Sequence, residues 1–278
     1  MREKDAKLPP TEQLTANIGS GPYKFKEALA KPGASFTYDR NEQYIPRQEP
    51  AEGWAGGKVI KVDRAIWQNI SDPQTALSAL QAGQIDFVNS PPADLYGTIK
   101  SDPNLELQLL DTGGDDLYVQ MNFLQPPFNN VKARQAMLHL IDQEAFLRVI
   151  SPDPDYSSPV ISIFGNSGPY SNDENTGWYK KGGDPGRAKQ LFQESGYAGE
   201  KVYLFQFTDW PVASDAALLL ASALRKIGVN VVLGPMSFSA FVEARKNKGP
   251  VENGGWSMAI NDWSDLSWAI QSPVPSII

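Results

Sequence analysis

From residue 201 onward the chain reads strand, helix, strand, helix, strand, and few architectures satisfy that order. Val202 to Phe207 is dense in β-formers. Pro211 to Ile227 carries Ala217, Leu220, Ala221 and Leu224 on one helical face and is stopped by Gly228. Val229 to Leu233 is continuously apolar, Ser237 caps a helix running to about Lys248, and Trp256 to Ile260 is a further strand. Strands alternating with helices predict α/β layering around a largely parallel sheet.

Earlier segments carry the same punctuation. Asp72-Pro73 and Asp184-Pro185 each place an N-capping carboxylate before a proline at the first helical position. Gly83 and Gly196 close those two helices. Ala76, Leu77 and Leu80 stripe the first; Ala188, Leu191 and Phe192 stripe the second. Val131 to Ile150 reads as one long helix, with Ala133, Met137, Leu140 and Ile141 on its inner face. Strands are expected at 21–28 and 34–40 around Lys31-Pro32-Gly33, at Val59–Asn69 with Trp67 in the core, and at Ile85–Val88. Two more are expected at Leu105–Leu110 and Asp116–Phe123, and a short helix at Pro92–Lys100. Residues 1–18 form a polar lead-in, 45–57 a loop, and 151–183 a long irregular stretch of the kind that packs or functions as a loop.

Composition narrows the function. The chain has 278 residues, a net charge of −7 and no cysteine. A negative chain without a basic footprint is a poor partner for nucleic acid. Without cysteine there are no disulfides, thiolate metal sites or cysteine nucleophiles. Residues 1–7 are charged and lack the apolar segment of a signal peptide.

Motifs for chemistry are scarce. His139 is the single histidine; it sits inside a helix pattern without a Gly-x-Ser-x-Gly elbow and reads as a surface or half-buried residue. Gly53-Trp54-Ala55-Gly56-Gly57-Lys58-Val59 is one residue short of a phosphate loop and lacks its Ser/Thr. Gly19-Ser20-Gly21 is followed by Pro22, so both are turns. No cofactor and no metal site is expected. Trp256, Trp263 and Trp268 cluster around Asn261, Asp262 and Asp265; such a cluster reads either as core packing with polar loop residues around it or as aromatic surface beside a carboxylate, which suits an organic ammonium group.

Ordered motifs give a further reading. The run Gly19-Ser20-Gly21-Pro22-Tyr23-Lys24-Phe25 through Tyr38-Asp39-Arg40-Asn41 is followed by Asp72-Pro73-Gln74-Thr75-Ala76-Leu77 and Gly83-Gln84-Ile85-Asp86. Next come Asn122 and Pro126-Pro127-Phe128-Asn129-Asn130-Val131-Lys132-Ala133-Arg134-Gln135-Ala136. Asp184-Pro185 with Ser195-Gly196-Tyr197 completes the series. This series resembles the extracellular solute-binding proteins of family 5, the dipeptide, oligopeptide and nickel receptors of bacterial ABC importers. The resemblance implies an α/β, periplasmic-binding-protein-like fold of type II (cluster C), with mixed sheets flanked by helices. It also implies an excised chain: lead-in 1–18, part of lobe one at 19–110, and a truncated lobe two at 111–278.

The implied function is reversible capture of a peptide or peptide-like solute between two lobes, for delivery to inner-membrane permease subunits. The location would be periplasmic, the receptor a monomer without nucleic-acid partners, and the chain no enzyme. Alternatives are a ligand-sensing domain of a regulatory protein, and a hydrolase. In peptide-binding members an aspartate near a tryptophan grips the ligand's α-amino group. The matching stretch here is Ala259 to Leu266, which puts Asp262 in the gripping position, Trp263 as the aromatic and Asp265 as a second acid, with Asn261 beside them. The family's leading tryptophan is Ala259 here and its proline is Leu266.

Overall fold

A computed structural model describes residues 3–9, 12, 18–52, 55–110, 114–162, 164–166 and 170–264. The chain divides into two compact units, Met1–Asn89 and Ser90–Ile278.

In the first unit, a short α1 (Glu3–Ala6) precedes an antiparallel sheet of β1 (Tyr23–Phe25), β2 (Ser35–Arg40) and β3 (Arg64–Gln68), in that spatial order. The turn between β1 and β2 uses Gly33 at φ 77°, a conformation that only glycine adopts cheaply. Phe25 packs its ring on Phe36 and Tyr38. Arg64 clasps Asp39 across β2 and β3 with hydrogen bonds of 2.6 and 3.1 Å. That guanidinium holds the Asp39 carboxyl below its ordinary range.

The expected strand at 59–69 shrinks to β3, and Trp67 is not core: it is 62% exposed, beside Ile66 at 55%. An edge strand has a neighbour on one side only, so apolar residues on both its faces do not by themselves bury it. Helix α2 (Pro73–Gln81) starts as expected, with Asp72 accepting from the Thr75 amide at 2.7 Å and the Thr75 hydroxyl at 2.6 Å. Gly83, at φ 66°, ends it. Ile85–Val88 forms no strand and Phe87 is 59% exposed. A four-residue apolar run does not fix a strand unless a ladder partner is available.

The second unit opens with a 3-10 turn at Ala93–Leu95 that leads into α3 (Tyr96–Ser101). Leu105–Leu110 forms no strand, again against expectation. After β4 (Asp115–Met121), the long helix expected at 131–150 is two: α4 (Val131–Leu140) and α5 (Gln143–Ile150). Asp142 is the cause. Its carboxylate accepts from the Ala145 amide at 3.0 Å and caps a new helix rather than continuing the old one. At the other end of α4, Asn130 accepts from Lys132 and donates to the Ser195 carbonyl.

The described residues of 151–183 contain no helix or strand but are tied down. Gln143 bonds both the amide and the carbonyl of Val160, and the Tyr179 hydroxyl donates to Glu144. That bond is the largest influence holding the Glu144 carboxyl below its usual range.

Four elements follow: α6 (Pro185–Glu194), β5 (Val202–Phe207), α7 (Pro211–Lys226) and β6 (Val231–Met236). The described chain closes with α8 (Phe238–Ala244), which stops short of Lys248, and β7 (Met258–Ser264). The sheet order is β4-β7-β5-β6; β5 is parallel to both β6 and β7, while β4 is antiparallel to β7. The parallel alternation expected from 201 onward is present, and β4 makes the sheet mixed.

Leu204 and Phe205 point to opposite faces of β5 and are both buried, so helices cover both sides. The α7 face of Ala213, Ala216, Ala217, Leu220, Ala221 and Leu224 is fully buried. Ala133, Ala136, Met137 and Leu140 of α4 share the core with Ala188, Leu191 and Phe192 of α6.

Candidate functional site

The candidate residues lie on β7, which runs through the middle of the second unit's sheet with β4 on one side and β5 on the other. Two hydrogen-bond systems at its start fix its register. The Ser257 hydroxyl, almost fully buried, accepts from the Tyr203 amide at 3.0 Å, and the Ser257 amide donates to the Tyr203 carbonyl. Asn122 amide nitrogen Nδ2 donates to the Trp256 carbonyl at 2.9 Å, while its Oδ1 accepts from the Leu124 amide at 3.1 Å.

Register then decides which side chains meet. Leu117 lies opposite Asp262, Tyr118 opposite Asn261, Asp116 opposite Trp263, and Asp115 opposite Ser264. Successive strand residues leave on opposite faces. Asp262 therefore shares a face with Leu117 and Asp115. Trp263 and Asn261 share the other face with Asp116, Tyr118 and Gln120. The sequence places Asp262 and Trp263 side by side; the pleat separates them.

On the first face, the Asp262 carboxyl is pushed above its ordinary value of 3.8, by the surrounding protein first and by the Asp115 carboxylate second. The side chain still reaches solvent. Among the described residues it has no ion-pair partner. A carboxylate crowded by protein and by a second acid is set to favour an incoming cation.

On the second face, Asn261 is buried and donates to Gln120 Oε1 at 3.0 Å. Trp263 is 38% exposed. Burial raises the Tyr118 hydroxyl above its ordinary value; Asp262 adds to the shift and Arg245 opposes it. Arg245 itself caps the end of α8 and lies over the Phe241 ring. Asp265 and Trp268 lie outside the described residues.

Asp115, Tyr118 and Gln120 were not legible as site neighbours, because only the pairing of β4 with β7 brings them there, and Arg245 acts on Tyr118 from the end of α8. The available signal was the alternating pattern of residues 115–121, which marks a strand without naming its partner. Among the described residues, no group of three or more His, Cys, Asp or Glu side chains could hold a metal ion.

Comparison with known proteins agrees with this architecture. Residues 3–275 match the family model described as bacterial extracellular solute-binding proteins, family 5 Middle. The chain belongs to this family. It is 58% identical over 271 residues to the probable peptide ABC transporter periplasmic-binding protein y4tO of Sinorhizobium fredii, covering 97% of this chain and 51% of that protein.

Two solved structures share the fold. The binding protein AgaA of A. tumefaciens, in complex with agropinic acid, matches with a TM-score of 0.70 at 23% identity, over 93% of this chain and 48% of that one. The periplasmic binding protein DppA of Helicobacter pylori, in complex with the peptide STSA, matches with a TM-score of 0.69 at 21% identity, over 88% and 43%. The family 5 chain thus spans about half the length of the relatives it matches.

Proposed function

We propose that this family 5 chain is part of the solute receptor of an ABC importer, and that it helps to capture a peptide or peptide-like amine reversibly for delivery to membrane permease subunits. The observation that carries the ligand class is Asp262. It is a carboxylate held above its ordinary pKa by surrounding protein and by Asp115, open to solvent, and without a cationic partner among the described residues. The name of the 58% identical relative supports the same class.

In this reading Asp262 takes the ligand's ammonium group, and Trp263, leaving β7 on the opposite face, lies away from it. Asn261, buried on that opposite face, sets the strand through Gln120, and Asp265 adds a second acid. Residues 19–110 belong to one lobe and 111–278 to the other, although the compact units divide at 89/90. The receptor works as a periplasmic monomer that performs no catalysis. No described helix is long and apolar enough to cross a membrane.

Isothermal titration of the purified receptor with short peptides tests the reading. Asp262→Asn removes the charge at nearly constant shape and is expected to weaken binding of a free-amine peptide by about tenfold or more, the worth of a charged hydrogen bond. The N-acetylated peptide should bind parent and variant equally weakly. Unchanged affinity for the free-amine peptide in the variant would refute the assignment.

A further inference from the structure

A cavity lies on the second unit, between α4, α6 and the 175–178 turn. Its volume is about 460 Å³, within the ordinary size range of small-molecule sites. Leu138 and the buried Leu191 supply apolar lining, and Gln135, His139, Trp178 and Arg187 supply polar groups.

These four side chains have one property in common. Among the described residues, none of their side-chain nitrogens makes a hydrogen bond. The nearest acid to Arg187 is Glu194, at 3.9 Å from Nη1, beyond hydrogen-bond reach. Glu194 is already engaged by Lys132 at 2.9 Å and Gln190 at 2.8 Å. Asp184, the other acid at this end of α6, is held by Lys180 at 3.1 Å and by the Arg187 amide at 3.0 Å. The local carboxylates are therefore satisfied, while Gln135 and Arg187, both exposed, and His139 and Trp178, both half-buried, line the cavity.

We propose that this cavity binds a small organic carboxylate with a flat apolar body, at a site separate from Asp262. Arg187 would take the carboxylate through its planar fork, which matches that geometry. His139 and Gln135 would add donors, and the half-buried Trp178 would lie against the body of the ligand.

Phenylacetate is the probe, with phenylethylamine and inorganic phosphate as controls, titrated into the whole chain and read by tryptophan fluorescence and by heteronuclear NMR. Phenylacetate should bind saturably at millimolar concentrations or below, and phenylethylamine should not. Arg187→Gln, a change at an exposed helix position, should weaken phenylacetate by about tenfold or more. Trp178→Leu should weaken it too, and Asp262→Asn should leave it unchanged, which separates this site from the peptide reading. Thermal melts of each variant establish that it is folded.

Absence of saturable phenylacetate binding to the parent overturns the proposal. So does a loss of binding in Asp262→Asn that Arg187→Gln does not reproduce. Phosphate binding as tightly as phenylacetate overturns the role given to Trp178.

Discussion

Asn122 offers the sharpest test of how the site is held. It is 5% exposed, sits just past the end of β4, and bonds the Trp256 carbonyl and the Leu124 amide through opposite ends of one side chain. Its backbone amide also donates to the Ser257 carbonyl, so the residue joins β4 to the start of the strand that carries Asp262. Asn122→Ala leaves both side-chain partners without their bond. Trp256 is 7% exposed, so its carbonyl recovers little water, whereas Leu124 at 61% exposure leaves its amide nearer to solvent. A buried group left unpaired costs about 1–3 kcal/mol, so the sum should be about 2–3 kcal/mol. With a urea dependence of about 1–3 kcal/mol per molar, the midpoint of the second unit's transition should fall by about 1 M. Equilibrium urea unfolding followed by circular dichroism measures this. Asn122→Asp sharpens the test: it keeps the acceptor for Leu124 but turns a lone pair toward the Trp256 carbonyl. It should be at least as destabilising at neutral pH and recover in acid, where a protonated carboxyl donates again. An alanine variant within about 0.5 kcal/mol of the parent, the range of an ordinary surface change, would refute the account.

Two further outcomes are expected. Because the Asp262 carboxyl is raised above 3.8, the folded state holds that proton more tightly than the unfolded chain does. Stability is therefore lost as pH rises through the interval between 3.8 and the raised folded value. Asp262→Asn should melt above the parent at neutral pH and converge with it below 3.8; a variant less stable than the parent at neutral pH would contradict this. Tyr179→Phe removes the hydroxyl that anchors the 151–183 stretch to Glu144. Limited proteolysis should then cut that stretch several times faster while the melting temperature of the core stays nearly unchanged, and an unaltered cleavage rate would show that the anchor does not hold it.

Local chemistry was legible in the residues. Asp72, Asp184 and Ser237 all accept from the first-turn amides of their helices, because a cap is a contact between residues two or three apart and needs no fold to form it. Gly83, Gly196 and Gly228 end their helices at positive φ for the same local reason. The ordered motifs were legible too, since they record local elements in sequence. Asp142 shows the limit of periodicity. The apolar spacing runs through it smoothly, but a carboxylate that can cap outweighs a spacing that only permits a helix.

What required the tertiary structure is everything that depends on a partner distant in sequence. Ile85–Val88 and Leu105–Leu110 have strand-like composition and no ladder, because a strand exists only when another strand supplies its hydrogen bonds. Trp67 is apolar but lies on an edge. Above all, the sequence by itself named Asp262, Trp263 and Asn261 as neighbours, which along the chain they are. The pairing of β4 with β7 sent Asp262 to one face with Asp115, and Trp263 and Asn261 to the other with Tyr118 and Gln120. Residue identity determines which groups can hold a cation. Register, set by Asn122 and Ser257 at the far end of the strand, determines which of those groups share a face.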